Sequence, residues 1–389
     1  MTHVSRIRPV KTARLAWFRP HAPEPPDRRQ APLDDTASLI EALRARYDID
    51  VVDEQEAYAF VWRHDRQRYD LPVYELADTA AAQFIWPYLL RYPGLLLARS
   101  RRLRSSRAAS LRRQHRDDDY AAELAFSGAP LARAPFLASR LVVVPSAAHA
   151  QVLQDEYPDA RIRVAPVTVG AVTSQIQNPK FRIPGEPVRF GVLGQDRLDV
   201  IRRARQRARD AGTEVDILID TPDRVLQEAD VLLALQWSVV DEWPVAAVAG
   251  MAAGRPVVVL EMEATADWPA YDPQTWQPRD PLSSAPPVVI SLDPRDEEHS
   301  LLLAMQRLAA SAALRAELGA AGHAWWSAHA APDRAADAWA ALIDEAVSLA
   351  PPPLPADWPP HLRADGSDLA RAILGQIGAE TDIVAQRTH

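Results

Sequence analysis

Two doubly wound α/β domains joined by a linker, with a helical C-terminus, are the fold class this sequence predicts. Three observations carry it. Short apolar runs recur along the 389 residues, segments of helical periodicity lie between them, and a polar, proline-containing stretch without periodicity interrupts the series near its middle. Strands alternating with helices of this length form parallel sheets covered on both faces. A chain this long can fill two cores of ordinary size, and its hydrophobic content of 48% is enough to do so.

In chain order, ARLAWF (13–18) reads as a strand, TASLIEALRARY (36–47) as a helix and IDVVD (49–53) as a second strand. LPVYEL (71–76), GLLLA (94–98) and RLVVVPS (140–146) are strand-like, with a helical segment, AAAQFIWPYLLRY (80–92), between the first two. The aperiodic stretch around 171–187 is the linker. A second alternating block follows: VRFGVLG (188–194) as a strand, 198–212 as a helix, and EVDILID (214–220) and ADVLLAL (229–235) as strands. PVAAVAGMAAG (244–254) reads as a helix and PVVVLE (256–261) as a strand, with long amphipathic helices at 301–330 and 331–350. The expected division is an N-terminal lobe at 1–175, the linker at 176–187, a second lobe at 188–350, and a proline-rich tail with one short helix at 351–389.

The formal net charge of −8 argues against a general nucleic-acid binder. No cysteine is present, which excludes disulfides, thiolate zinc sites and a cysteine nucleophile. The N-terminus lacks an apolar core of the secretory type, and no window approaches the ~18 apolar residues of a membrane span. A soluble, cytoplasmic protein is the expectation.

One stretch is specific. In ADVLLALQWSVVDEWPVAAVAGMAAGRPVVVLE (229–261), the carboxylate of Glu242 stands in a loop before an apolar helix, followed by a Gly-Arg-Pro turn and a strand. This block, with LRAELGAAGHAWW further on, resembles the donor half of family 4 retaining glycosyltransferases, which have the GT-B fold: two Rossmann-like domains facing a central cleft. RLAWFRPHAPEPP, RYPGLLLARS and EYPDARIRVAPVTVG are weaker echoes of the acceptor half. The resemblance covers roughly residues 13–350. It implies transfer of a sugar from a nucleotide-sugar donor to an acceptor hydroxyl with retention, in glycan or polysaccharide assembly and without a metal.

By that resemblance Glu242 would contact the donor sugar. Arg197, Gly194 and Trp243 would lie on the donor side, and Arg99 and Ser100 on the acceptor side. The acceptor would be a glycan or a lipid-linked sugar. Several family positions have changed. The second glutamate falls near Ala249 and Gly250, and the His-Asp pair is replaced by Arg99 and Ser100. The Lys/Arg pair is reduced to Arg197, and PPDRRQAPLDDTA (25–37) has no glycine. A non-catalytic GT-B protein serving as binding or scaffolding partner of a transferase is therefore the alternative.

Eight arginines fall within Arg99–Arg116. They read either as a solvated helix partly neutralised by Asp117–Asp119 or as a surface meeting anionic lipid. Glu123 reads as structural. His64, His115, His149 and His323 have no metal-ligand spacing, and His323 suits packing or capping. Trp325, Trp326 and Trp339 fit a buried helix face.

Overall fold

The computed structural model describes residues 13–20, 33, 36–170, 186–194, 196–237, 242–364 and 367–378. The sequence-expected linker at 176–187 and the glycine-free loop at 25–37 lie almost wholly outside the described residues.

The first lobe is a six-stranded parallel sheet built from β1 (Arg14–Phe18), β2 (Asp48–Val52), β3 (Leu71–Leu76), β4 (Leu95–Ala98), β5 (Leu141–Val144) and β6 (Ile162–Val164), in the order β2-β1-β3-β4-β5-β6. Its register sets Leu15 against Leu71 and Leu95 against Leu141. The connections are α1 (Thr36–Leu43), α2 (Ala57–Arg66), α3 (Ile85–Arg91), α4 (Arg104–Arg113), α5 (Asp117–Ser127), α6 (Arg133–Ala138) and α7 (Ala147–Glu156). β3, β4 and β5 are buried along their whole length. Helices on both faces of a parallel sheet impose that burial, and it is why β4 and β5 are unbroken apolar runs; β3 is interrupted by Glu75, which is buried and accepts from the Trp17 indole at 2.6 Å.

The second sheet has six strands, all paired in parallel: β7 (Val188–Val192), β8 (Val215–Leu218), β9 (Val231–Ala234), β10 (Val257–Leu260), β11 (Ala270–Tyr271) and β12 (Val289–Leu292), in the order β11-β12-β10-β9-β7-β8. Its helices are α8 (Leu198–Asp210), α9 (Pro222–Glu228), α10 (Val245–Ala252), α11 (Glu297–Ala310), α12 (Ala312–His329) and α13 (Pro332–Ser348). Two short helices, α14 (Pro360–Arg363) and α15 (Ser367–Gln376), follow where one was expected. The single helix expected at 301–330 is also two. Ser311 caps the second of them, its hydroxyl accepting from the Leu314 N–H at 3.1 Å.

The C-terminal helices tie the lobes together. α13 packs on the first lobe, where the Tyr47 hydroxyl donates to Asp344 at 2.7 Å and Trp17 lies 6.2 Å from Trp339. The tail then folds back onto that lobe. Trp358 is buried against Phe126, and His361 reaches Glu123 at 2.8 Å. Among the described residues no helix is long and apolar enough to cross a membrane.

Candidate functional site

In each sheet the first strand has its second to one side and its third to the other, so the chain reverses direction of winding between β1 and β3 and between β7 and β9. Such reversals open a crevice at the carboxyl ends of the strands. In the second lobe the crevice is flanked by the loop after β7, carrying Gly194 and Arg197, and the loop after β9, carrying Gln236, Trp237 and Glu242. Asp196 joins the two loops by accepting the Trp237 N–H at 3.0 Å.

A cavity of about 600 Å³, counting its open mouth, lies beside these loops. Its floor is apolar, formed by Ala234, Pro244, Ala247, Val259 and Leu260, and its polar groups are Glu242, Arg101, His149, Gln236 and Glu263. Arg101 and His149 come from the first lobe, following β4 and β5. The site therefore bridges both halves of the molecule.

Backbone geometry fixes Glu242. Its N–H donates to the Arg99 carbonyl at 2.7 Å, and the next side chain, Trp243, donates its indole N–H to the Ala98 carbonyl at 2.8 Å. The Glu242 side chain is only 13% exposed, with Arg101 at 3.5 Å and His149 Nε2 at 3.2 Å. Burial pushes its carboxyl up to about 7, against the opposing pull of Arg101. Burial, reinforced by Arg101, pushes His149 down to about 4. Neither ring nitrogen of His149 makes a well-aligned hydrogen bond. Glu263, 3.2 Å from Arg101, is held below the usual carboxylate range: burial opposes this, but its own backbone N–H and Arg101 outweigh burial. The centre thus holds one ionised carboxylate, one guanidinium, a neutral imidazole and a carboxyl poised near neutrality. Such a carboxyl can exchange hydrogen bonds with hydroxyl groups or move a proton.

Of the site residues expected from sequence, Glu242 lines this cavity. Trp243 does not. It is 2% exposed, lies 6.3 Å from Trp339 and has Arg99 stacked 5.4 Å from its ring. Its size and apolarity place it in the core between the lobes, where it anchors Glu242 instead of facing a donor. Arg99 and Ser100 are likewise buried at the end of β4, with the Ser100 hydroxyl turned onto the Arg102 backbone. The side chain that reaches the cavity from this turn is Arg101.

Gly194 adopts φ 93°, a left-handed conformation suited to glycine, and stands in open space. Arg197 stands just before α8 at the crevice mouth without capping it, 5.0 Å from the Trp237 ring, and is ion-paired with Glu297. Ala249 is fully buried, and a side chain at Gly250 would meet Val257 and Leu232. No carboxylate from either position could open on the crevice.

The arginines of 99–116 are dispersed. Arg107 is buried in a two-pronged pair with Glu123, Arg101 faces the cavity, and Arg116 pairs with Asp119. Glu123 is structural, as expected, and His323 bonds the Ala252 carbonyl at the end of α10. His149 and Arg101 escaped sequence reasoning because their significance lies in contacts across the lobes. The available signal was Ser146, which caps α7 and so fixes where His149 points.

No family model matches this chain, and no curated protein matches it in sequence. Solved structures do match in shape. A sucrose-phosphate synthase from Thermosynechococcus elongatus aligns with a TM-score of 0.56 at 14% identity, over 86% of this chain and 98% of that one. The Anabaena protein HepE in complex with UDP and glucose aligns at 0.53 and 10% identity, over 85% of this chain and 99% of that one. Two parallel six-stranded sheets, their flanking helices and the helical C-terminus follow the architecture of these proteins: the chain has the GT-B fold.

Proposed function

We propose that this chain is a retaining glycosyltransferase of the family 4 type, passing a sugar from a nucleoside diphosphate donor to a hydroxyl of a glycan or lipid-linked acceptor. The observation that carries the proposal is the Glu242 carboxyl, buried in a cavity between the lobes at the strand-order reversal of the second sheet. Glu242 would hydrogen-bond the hydroxyls of the donor sugar. Arg197 and the amino end of α8 would offset charge on the leaving diphosphate, with Arg197 exchanging Glu297 for phosphate. Arg101 and His149 would close the sugar side from the first lobe.

A specific observation favours the second reading, a non-catalytic GT-B partner of a transferase. The cations at the crevice are already engaged: Arg101 contacts Glu242 and Glu263, and Arg197 pairs with Glu297. The lobes are also bonded to each other where Ser146 donates to the Glu263 carbonyl at 2.7 Å and the Ala147 N–H donates to Asp267 at 2.7 Å.

Incubation with UDP-, GDP- and ADP-sugars and a mixture of acceptor glycans separates the readings. Transfer with retained anomeric configuration, reduced about 10²-fold or more in Glu242→Ala, supports the first. Absence of turnover with every donor supports the second, and transfer indifferent to Glu242 would contradict the role given to that carboxyl.

A further inference from the structure

The lobes meet along two seams of different chemistry. One is apolar. Trp17 lies 6.2 Å from Trp339, and Trp243 lies 6.3 Å from the same ring; all three are at most 2% exposed, in a hydrophobic cluster that draws on both sheets. The other is polar, and there the first turn of α7 meets the loop that follows β10. The Ser146 hydroxyl donates to the Glu263 carbonyl and the Ala147 N–H to the Asp267 carboxylate, each at 2.7 Å. Arg101, in the turn after β4, adds an ion pair to Glu263 at 3.2 Å. Arg101, His149 and Glu263 also line the cavity that holds Glu242, so the polar seam forms part of its wall.

The two seams differ in how readily they part. Separating the apolar one would bring large aromatic side chains into water. Separating the polar one exchanges protein hydrogen bonds for bonds to water, and the net effect of each exchange is small. Water already reaches this seam: the Ala147–Asp267 bond is exposed, and the Arg101 and Glu263 side chains are 28% and 39% exposed. Nor does α7 lose its cap when Asp267 leaves, because the Ser146 hydroxyl accepts the His149 N–H at 3.1 Å from within the same lobe.

We propose that the first turn of α7 and the Glu263–Asp267 segment form a latch. It holds the lobes together in the resting chain, and its release lets them swing on the apolar seam and opens the cavity at Glu242. Asp267 fastens it by capping α7 from the opposite lobe. A ligand that needs the open form binds with an affinity scaled by the fraction of chains already open. The latch therefore sets both the resting separation of the lobes and the apparent affinity. The first is independent of any activity, and the second rests on the reading of the cavity as a nucleotide-sugar site.

The test is pulsed electron–electron double resonance on the full chain, with spin labels at Val152→Cys on α7 and Arg202→Cys on α8, both exposed positions. The chain has no native cysteine, so the labels attach nowhere else. Three versions are compared: the labelled parent, Asp267→Ala, which removes the acceptor, and Asp267→Asn, which keeps one. The parent and Asp267→Asn should share a short distance between the lobes. Asp267→Ala should add a longer one, its population raised about fivefold or more, with the unfolding temperature within a few degrees of the parent. Calorimetry with UDP-glucose, GDP-mannose and ADP-glucose should then show apparent affinity raised by the same factor in unlabelled Asp267→Ala, for whichever ligand binds. Equal distances in the parent and Asp267→Ala would overturn the latch. So would equal opening by Asp267→Asn, or weaker ligand binding in Asp267→Ala. If the distances shift as expected while none of the three ligands binds, the latch stands and the reading of the cavity fails.

Discussion

Replacing Glu242 by Gln should make the protein more stable at alkaline pH and leave it unchanged in acid. The Glu242 carboxyl rises from 4.5 to about 7 on folding because it is buried. Below about pH 4.5 it is protonated in both the folded and unfolded chains. Between pH 4.5 and 7 the unfolded chain ionises while the folded one keeps its proton, so stability falls as pH rises, and the loss is complete above 7. At about 1.4 kcal/mol per unit the total is roughly 3 kcal/mol. The side chain is 13% exposed, so solvent screening removes little of this. Glutamine keeps the neutral shape at every pH. Glu242→Gln should therefore match wild type at pH 4.5 and exceed it by about 3 kcal/mol at pH 8. His149 has the opposite slope. Its pKa is lowered from 6.5 to about 4, so its contribution is present above 6.5 and lost as pH falls toward 4. It is common to both proteins and cancels in their difference. Urea unfolding of the two proteins at half-unit steps from pH 4.5 to 8 provides the assay. A difference that is flat with pH, or that grows in favour of wild type as pH rises, would mean that Glu242 is ionised and paired throughout. The argument from burial would then fail.

Three further outcomes follow from packing. Trp243→Phe removes the indole donor to the Ala98 carbonyl and should cost about 1–3 kcal/mol for the unmatched buried acceptor, read by thermal unfolding. Glu123→Ala leaves the Arg107 guanidinium buried and unpaired and removes one of the two carboxylates on His361, which keeps Asp119 at 3.2 Å. A loss of about 3–5 kcal/mol is expected, with faster tryptic cleavage after Arg363. Gly319→Ala would set a Cβ 2.4 Å from the Gly254 carbonyl oxygen. The resulting shift of α12 from α10 should cost about 1–3 kcal/mol, measured by chemical denaturation.

Most of the scaffold was legible in the sequence because strands buried between helices are mostly apolar runs, even where one charged residue such as Glu75 interrupts them. RLAWF, LPVYEL and VVVL each became the strand they suggested, to within a residue or two. β12 was not read, since VISL follows a proline-rich series of turns in which no helical crossover announces the next strand. The short α9 and the capped α7 were missed for a similar reason: seven to ten residues give too few turns for a clear period. The site divides along the same line. Glu242, which lines the cavity, could be singled out because its loop, helix and turn are contiguous in the sequence. Arg101 and His149 reach the cavity only because β4 and β5 end opposite β9 and β10. Trp243 was placed on the donor side because a sequence says little about which of two adjacent loop residues faces a cleft and which enters a core. Its neighbour Trp339 lies about a hundred residues away. The arginine run at 99–116 misleads for the same reason: burial sends its members to Glu123, the cavity and the surface separately.

The most direct test of the account is a crystal structure of the chain soaked with a nucleoside diphosphate-sugar that it binds in solution. The account predicts density for the diphosphate at Gly194 and Arg197, with Glu297 displaced from the guanidinium, and for the sugar against Glu242. Ligand density elsewhere, or a crevice still closed by the Arg101 and Arg197 ion pairs at saturating ligand, would contradict it.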